Sequence, residues 1–257
     1  MSITRREFLC LAGAFTASAC IASPVVGKEA AVRIPVLMYH AISDFMEEGD
    51  GYTVTPSLFA AQLEWLYNNG FRVIPLREIG NSPVEKRTVV ITFDDGHASF
   101  IDYAFPLLRE YGFHATVNAV GELVGVKSHS DGQPMLSWDE YRYLLGSGFV
   151  DIGCHSNALH SLERKGALGV SGEELRQDLR TFRETMFAQT GVRPDILAWP
   201  FGLYNERTTV IAREEGFRYI LTSDNEIFRT PGNLFEIPRK NINNKYDIAV
   251  FRTEVKL

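Results

Sequence analysis

Along this chain of 257 residues, apolar blocks of strand length alternate with longer blocks of helical spacing. Val32 to Ile42 (VRIPVLMYHAI) is apolar and ends in polar residues, which predicts a buried strand running into a loop. Thr55-Pro56-Ser57 predicts a helix start, since proline is tolerated in a first turn, and Leu58, Leu63, Leu66 and Tyr67 carry it to Gly70. Arg72 to Leu76 is a short strand candidate. Thr88 to Phe93 (TVVITF) is β-branched and almost wholly apolar, the pattern of a central strand covered on both faces. Helix-like sequence then spans Ser99 to Tyr111, and Ala115 to Val120 reads as a strand. Ser137 caps a predicted helix over Trp138 to Leu145 that Gly146 and Gly148 end. Val150 to Cys154 is the next strand. A long amphipathic helix follows, opened by a capping box of Ser171 and Glu174 and closed by Gly191. Ile196 to Trp199 and Tyr219 to Thr222 are further strands, with a helix near Glu206 to Glu215 between them.

Strand and helix units succeed one another without repeat, low-complexity tract or linker. That order predicts a single α/β domain built on a mostly parallel sheet. Alternation alone fits a barrel and a doubly wound sheet equally. In either, the loops after the strand C-termini form the functional face.

The first 27 residues differ in kind. Arg5 and Arg6, then Phe8-Leu9 and an apolar run to Ile21, resemble a bacterial twin-arginine export signal. The run is shorter than the roughly 20 residues of a membrane span. Ala17-Ser18-Ala19 fits a signal-peptidase site, and the same residues before Cys20 resemble a degenerate lipobox that would leave a lipidated Cys20. The expected organisation is therefore a leader at 1–27, with lipidation at Cys20 as an open alternative, and one domain at 28–257. The expected location is the periplasm, the cell envelope or outside the cell, without a transmembrane span in the mature protein. Two of the three cysteines lie in the leader, so Cys154 has no intrachain framework to join. Hydrophobic residues make up 45% and charged residues 23%, an ordinary globular balance. A formal charge of −6 argues against an electrostatic grip on nucleic acid or anionic lipid.

Candidate chemistry collects at the predicted strand ends. Asp94-Asp95-Gly96 follows TVVITF, His155 and His160 follow Val150 to Cys154, and Pro200-Phe201-Gly202 follows Ile196 to Trp199. His40 follows the first strand, and Arg239 lies near the end of the last strand-like segment. Singly, each has an ordinary reading, since Asp and Gly are common turn formers. Jointly they place polar groups from five strand ends on one face. One carboxylate and two neutral imidazoles are a three-ligand set for Zn²⁺ or a similar ion. A second aspartate beside them can take a proton from water, which suffices for hydrolysis of an amide or ester.

These residues resemble the polysaccharide deacetylase family, the carbohydrate esterases (family 4) that share a nodulation-type deacetylase domain. Its first motif stands here as Thr92-Phe93-Asp94-Asp95-Gly96, its second as His155-Ser156-Asn157-Ala158-Leu159-His160, and its third as Ala198-Trp199-Pro200-Phe201-Gly202. The resemblance implies a distorted (β/α)7-type barrel. It implies Asp94 as general base, with Asp95, His155 and His160 as ligands of a divalent metal (Zn²⁺ first, with Ni²⁺, Co²⁺ or Fe²⁺ as alternatives). The Phe201 amide would stabilise the oxyanion. The substrate it implies is an acetylated polysaccharide.

The second motif is one residue longer than usual. Together with Met38-Tyr39-His40 and Trp199-Pro200-Phe201-Gly202, this spacing resembles the branch that partially deacetylates poly-β-1,6-N-acetylglucosamine. Peptidoglycan, chitin oligomers and O-acetylated xylan remain alternatives, as does an inactive glycan-binding protein. Ala198 replaces the third motif's arginine, and no histidine follows His160, so the family's late histidine acid is absent. Arg239 is the candidate for orienting Asp94, and His155 and His40 are both candidates for the acid. Trp138, Trp199 and Tyr204 are candidate sugar platforms. His97 adjoins the aspartates and can line the cleft, while His114 and His129 read as loop or surface residues.

Overall fold

The computed structural model describes residues 31–45, 51–80, 86–127 and 133–255. Residues 1–27, expected as a leader, with Cys20, and His129 lie outside them. Seven strands form the frame: β2 (Val36–Tyr39), β4 (Thr88–Asp95), β5 (Ala115–Ala119), β6 (Val150–Cys154), β7 (Ile196–Ala198), β8 (Tyr219–Leu221) and β10 (Lys240–Asn241). Their order across the sheet is β10-β2-β4-β5-β6-β7-β8, and every neighbouring pair is parallel. The sheet curls until the segment before β10 reaches its far edge. Ile237 bridges Leu221 of β8, while Lys240 and Asn241 pair with Leu37 and Met38 of β2. One short segment thus closes a seven-stranded parallel barrel, the expected (β/α)7 form.

Three smaller strands complete the described sheet structure. β3 (Arg72–Val73) extends the start of β4, and β1 (Val32–Ile34) pairs antiparallel with β9 (Phe228–Thr230). Six helices accompany these strands: α1 (Pro56–Asn68), α2 (Phe105–Tyr111), α3 (Trp138–Gly146), α4 (Gly172–Thr190), α5 (Glu206–Glu214) and α6 (Ile248–Val255). Helix starts follow local chemistry. The Thr55 side chain accepts from Leu58 N at α1, and Ser137 with Glu140 and Ser171 with Glu174 form reciprocal caps at α3 and α4.

Strand alternation splits the core in two. Leu37, Ile91, Phe93, Val117, Ile152 and Leu197 face outward against helical residues such as Leu63, Leu108, Leu144 and Phe182. Val36, Val90, Ile196, Ala198, Leu221 and Ile237 fill the inside of the barrel. Each such large side chain contributes roughly 1.5–3 kcal/mol by leaving water. Continuing inward along β4 and β5, however, the same face carries Thr92, Asp94, Thr116 and Asn118, all buried. The lower barrel is apolar and the upper barrel polar.

Several boundaries differ from the sequence reading. Pro35 divides the single expected first strand into β1 and β2, because proline has no N–H for a ladder. Only Arg72–Val73 of the third segment pairs, before a 3₁₀ turn at Leu76–Glu78. The expected helix from Ser99 begins as a wide π-type turn, Phe100–Ala104, just before Pro106, which has no N–H to donate to the preceding turn. His114, read as loop or surface, is partly buried, with Nε2 3.9 Å from Asp151 Oδ2.

Candidate active site

Two adjacent strand residues normally point to opposite faces. Asp94 follows Val90 and Thr92 into the barrel, so Asp95 should point outward. Its left-handed backbone, φ 71°, breaks the alternation and turns its carboxylate to the rim. Gly96 continues the turn at φ 88°, and a Cβ there would collide with the Tyr141 hydroxyl, so glycine is required on both counts. In this way one strand end delivers two carboxylates to one site.

Asp94 is 2% exposed and faces Arg239, 1% exposed, across the barrel. The guanidinium donates from Nη1 to Asp94 Oδ1 and from Nη2 to Oδ2, both at 2.7 Å. Its Nε donates to the Thr222 carbonyl at 2.9 Å, and Nη1 also reaches Thr92 Oγ1 at 3.2 Å. Planar bidentate pairing of this kind fixes orientation as well as charge. Burial alone would push the Asp94 carboxyl up, but the Arg239 charge outweighs it and holds the group well below the usual carboxylate range.

Asn118 completes the support, donating from Nδ2 to Asp94 Oδ1 at 2.7 Å. It sits opposite Asp94 in the β4–β5 register and opposite Gly153 in the β5–β6 register. A Cβ at Gly153 would strike the Asn118 amide oxygen, so that glycine makes room for the amide. Sequence reasoning missed Asn118. Its signal was a lone amide in the otherwise small or apolar strand ATVNA.

The Asp95 carboxylate meets two imidazoles. Its Oδ1 lies 3.2 Å from His160 Nε2 and 3.5 Å from His155 Nε2. No in-line hydrogen bond satisfies this buried oxygen within the site. The three ligand atoms lie within 4.8 Å of one another. An ion held tetrahedrally at about 2.0 Å separates its ligands by roughly 3.3 Å, so the two oxygen–nitrogen spacings suit a shared cation rather than direct hydrogen bonds. His155 Nδ1 is 2.8 Å from the Ala198 carbonyl, to which its N–H donates, leaving the Nε2 lone pair turned towards Asp95. Burial lowers His155 and keeps the imidazole neutral, the form that ligates; burial would also lower His160, but Asp95 against its Nε2 raises it. For Asp95, burial raises the carboxyl, and His160 and His97 overcome that to hold it well below its ordinary value.

Around this centre lie His97, His40 and Phe201, whereas the expected platforms Trp138 and Trp199 pack elsewhere. His97 is buried, with Nε2 3.6 Å from Asp95 Oδ2. Burial lowers His40, against the opposing pull of Asp95 and Asp94. Its ring also packs on Tyr52 at 4.7 Å. Phe201 adopts φ 57°, stacks on His160 at 4.6 Å, and its amide N–H donates to no other described residue. The Cys154 thiol is buried on the helix side, opposite His155, and burial pushes its pKa well up. The sugar-platform expectation fails for Trp199, which is buried beneath the rim. Trp138 packs on Tyr141 at 6.0 Å, half-buried.

A parallel barrel whose strand ends bring one carboxylate and two imidazoles together beside an arginine-held carboxylate has the parts of a hydrolytic site. The family model described as polysaccharide deacetylase matches residues 81–220, and the chain belongs to that family of amide hydrolases, which use a divalent metal. The Bacillus subtilis (strain 168) protein YxkH is 29% identical over 205 residues, 77% of this chain and 67% of the relative. The poly-β-1,6-N-acetyl-D-glucosamine N-deacetylase of Escherichia coli (strain K12) is 23% identical over 255 residues, covering 85% of this chain but 38% of that protein. Among solved structures, the Streptococcus pyogenes deacetylase PplD in complex with acetate superposes with a TM-score of 0.77 at 23% identity, over 89% of this chain and all of that one. Among the described residues, no helix is long and apolar enough to cross a membrane.

Proposed function

We propose that this polysaccharide deacetylase removes N-acetyl groups from poly-β-1,6-N-acetylglucosamine, using a divalent metal held by Asp95, His155 and His160. The convergence of Asp95 Oδ1 with the two Nε2 atoms, beside the Asp94–Arg239 pair, carries the reading. One oxygen and two nitrogen donors suit Zn²⁺ and also Ni²⁺, Co²⁺ or Fe²⁺. When bound, such an ion polarises the acetyl carbonyl and acidifies a water molecule.

The chain's own residues do the rest. Asp94 Oδ1 already accepts from Arg239 and Asn118, whereas Oδ2 accepts from Arg239 alone. Oδ2 therefore keeps the lone pair that takes the proton as water attacks the acetyl carbon. The Phe201 N–H faces the oxygen that gains charge. When the C–N bond breaks, releasing acetate, the amine nitrogen needs a proton. Both His155 nitrogens are engaged, one by Ala198 and one at the metal position, so His40 is the group we favour for relaying to the amine the proton that Asp94 has taken from water. The acetylglucosamine polymer rests on the histidine spacing and on the Escherichia coli relative's activity. We further propose that residues 1–27 are an export leader, placing the domain at 28–257 on an extracellular or envelope glycan.

Acetate release from poly-β-1,6-N-acetylglucosamine, measured with and without chelator, tests the proposal. Release should need metal, and Asp94→Asn and His155→Ala should each lower it by roughly 10²–10⁴-fold. Metal-dependent release from peptidoglycan, chitin oligomers or acetylated xylan instead would overturn the polymer and keep the chemistry. Stoichiometric metal binding without release from any of them would leave a glycan-binding protein.

A further inference from the structure

The loop carrying both imidazoles is held from outside the barrel by a residue with no part in the chemistry. Asp178 lies in the seventh position of α4, and is 9% exposed. Its neighbours on that helix face are Leu175, Leu179, Phe182 and Met186, an apolar stripe in which a carboxylate is out of place. Asp178 Oδ2 accepts the Asn157 N–H at 2.8 Å and Oδ1 accepts the Ala158 N–H at 2.7 Å. These are consecutive amides between His155 and His160. Burial raises the Asp178 carboxyl, the two amide bonds oppose this, and Glu122 adds to the rise. A carboxylate kept in an apolar stripe for two amides is costly, so its gain must lie in the loop.

The loop needs such a hold. Ser156 takes a left-handed backbone at φ 73°, which a serine adopts only when its surroundings fix it. From the other side, Gly121 N donates to the Ser156 carbonyl at 3.1 Å and Glu122 N to the Asn157 carbonyl at 2.9 Å. A Cβ at Gly121 would run into the Asn157 side chain, so the turn after β5 packs directly on the loop. Ser156 Oγ accepts Leu159 N at 3.1 Å. The four residues between the two histidines are thus clamped between α4 and the β5 turn.

We infer that Asp178 is the positioning residue of the metal site: its carboxylate sets the path of the 155–160 loop, and so the spacing of His155 Nε2 and His160 Nε2. The inference rests on the metal reading above.

The test is zinc affinity of the purified full chain, by competition with a chromophoric chelator well below the melting temperature. Supporting partners of metal ligands typically change affinity by about 10–100-fold. Asp178→Asn, isosteric but with an NH₂ against one amide, should weaken binding at least tenfold, and Asp178→Glu, which keeps the charge one methylene further out, should also weaken it. The control is Glu215→Gln, another buried carboxylate, paired with Arg176 and Arg180 at the α4–α5 contact. It should lower the melting temperature without moving zinc affinity. Should either Asp178 variant fail to fold, the other decides. Wild-type affinity in the folded Asp178 variants, with only their melting temperature lowered, would make Asp178 a structural cap and overturn the inference alone. A wild-type chain that binds no metal would overturn the metal reading with it.

Discussion

Two arginine–carboxylate clusters sit at opposite ends of this barrel. At the C-terminal end, Arg239 and Asp94 meet with side chains 1% and 2% exposed. At the N-terminal end, Arg77 pairs with Asp151 at the start of β6 and with Asp195, just before β7, at 2.8 Å, with the arginine 34% exposed. Tyr219 Oη adds a bond to the Arg77 carbonyl at 3.0 Å. The parts are alike and the surroundings are not. Water screens the lower cluster, so it trims the barrel end and little more. The upper cluster lies in a dry interior, where an unpaired charge is intolerable, so each member dictates the other's position and ionisation. Depth, not the number of contacts, separates a pair that fixes chemistry from one that decorates a fold.

Removing the cations measures that difference. Arg239→Met should destabilise the protein by about 3–5 kcal/mol, since it strands a buried carboxylate, and acetate release should fall by at least about a hundredfold. Denaturant unfolding and the acetate assay check both. Next comes pH. The folded Asp94 carboxyl lies below its unfolded value of about 3.9, so its stabilisation is complete above that pH and is lost as pH falls through the folded value. Unfolding free energy should therefore drop below about pH 4 in the wild type, and drop less steeply in Arg239→Met. Asn118→Ala removes one hydrogen bond to a charged group and should cost about 2 kcal/mol. It should also slow acetate release about tenfold, as a freer Asp94 samples poorer geometry. Smallest of all, Arg77→Ala should cost about 1 kcal/mol or less and leave acetate release unchanged. Equal losses for Arg77→Ala and Arg239→Met would break the argument from depth.

What could be read from the sequence was local. TVVITF is buried at every position and almost wholly apolar because β4 is covered on both faces, and the Ser137 and Ser171 caps are four-residue signals that name their own partners. The strand ends carried Asp94, Asp95, His155 and His160 because chemistry at a barrel mouth must stand where strands stop. Asn118 and Asp178 escaped for a different reason. Each acts by filling a place defined by another strand or helix, Asn118 between Asp94 and Gly153, Asp178 under a loop twenty residues earlier. Asp178 nonetheless broke the apolar stripe of its own helix, which is a legible fault. Trp199 was misjudged because its ring lies beneath the rim that the next residues form. β9, three residues long, went unread, and β10, two residues long, showed only as a strand-like segment around Arg239, since strands this short have almost no periodicity to detect.

The segment that closes the barrel is also the one that carries Arg239. Ile237 holds one edge, Lys240 and Asn241 hold the other, and the guanidinium between them neutralises Asp94. The seam therefore works as an interlock. A barrel sprung open there would part Arg239 from Asp94 in the same movement, leaving the proposed base without its counter-charge.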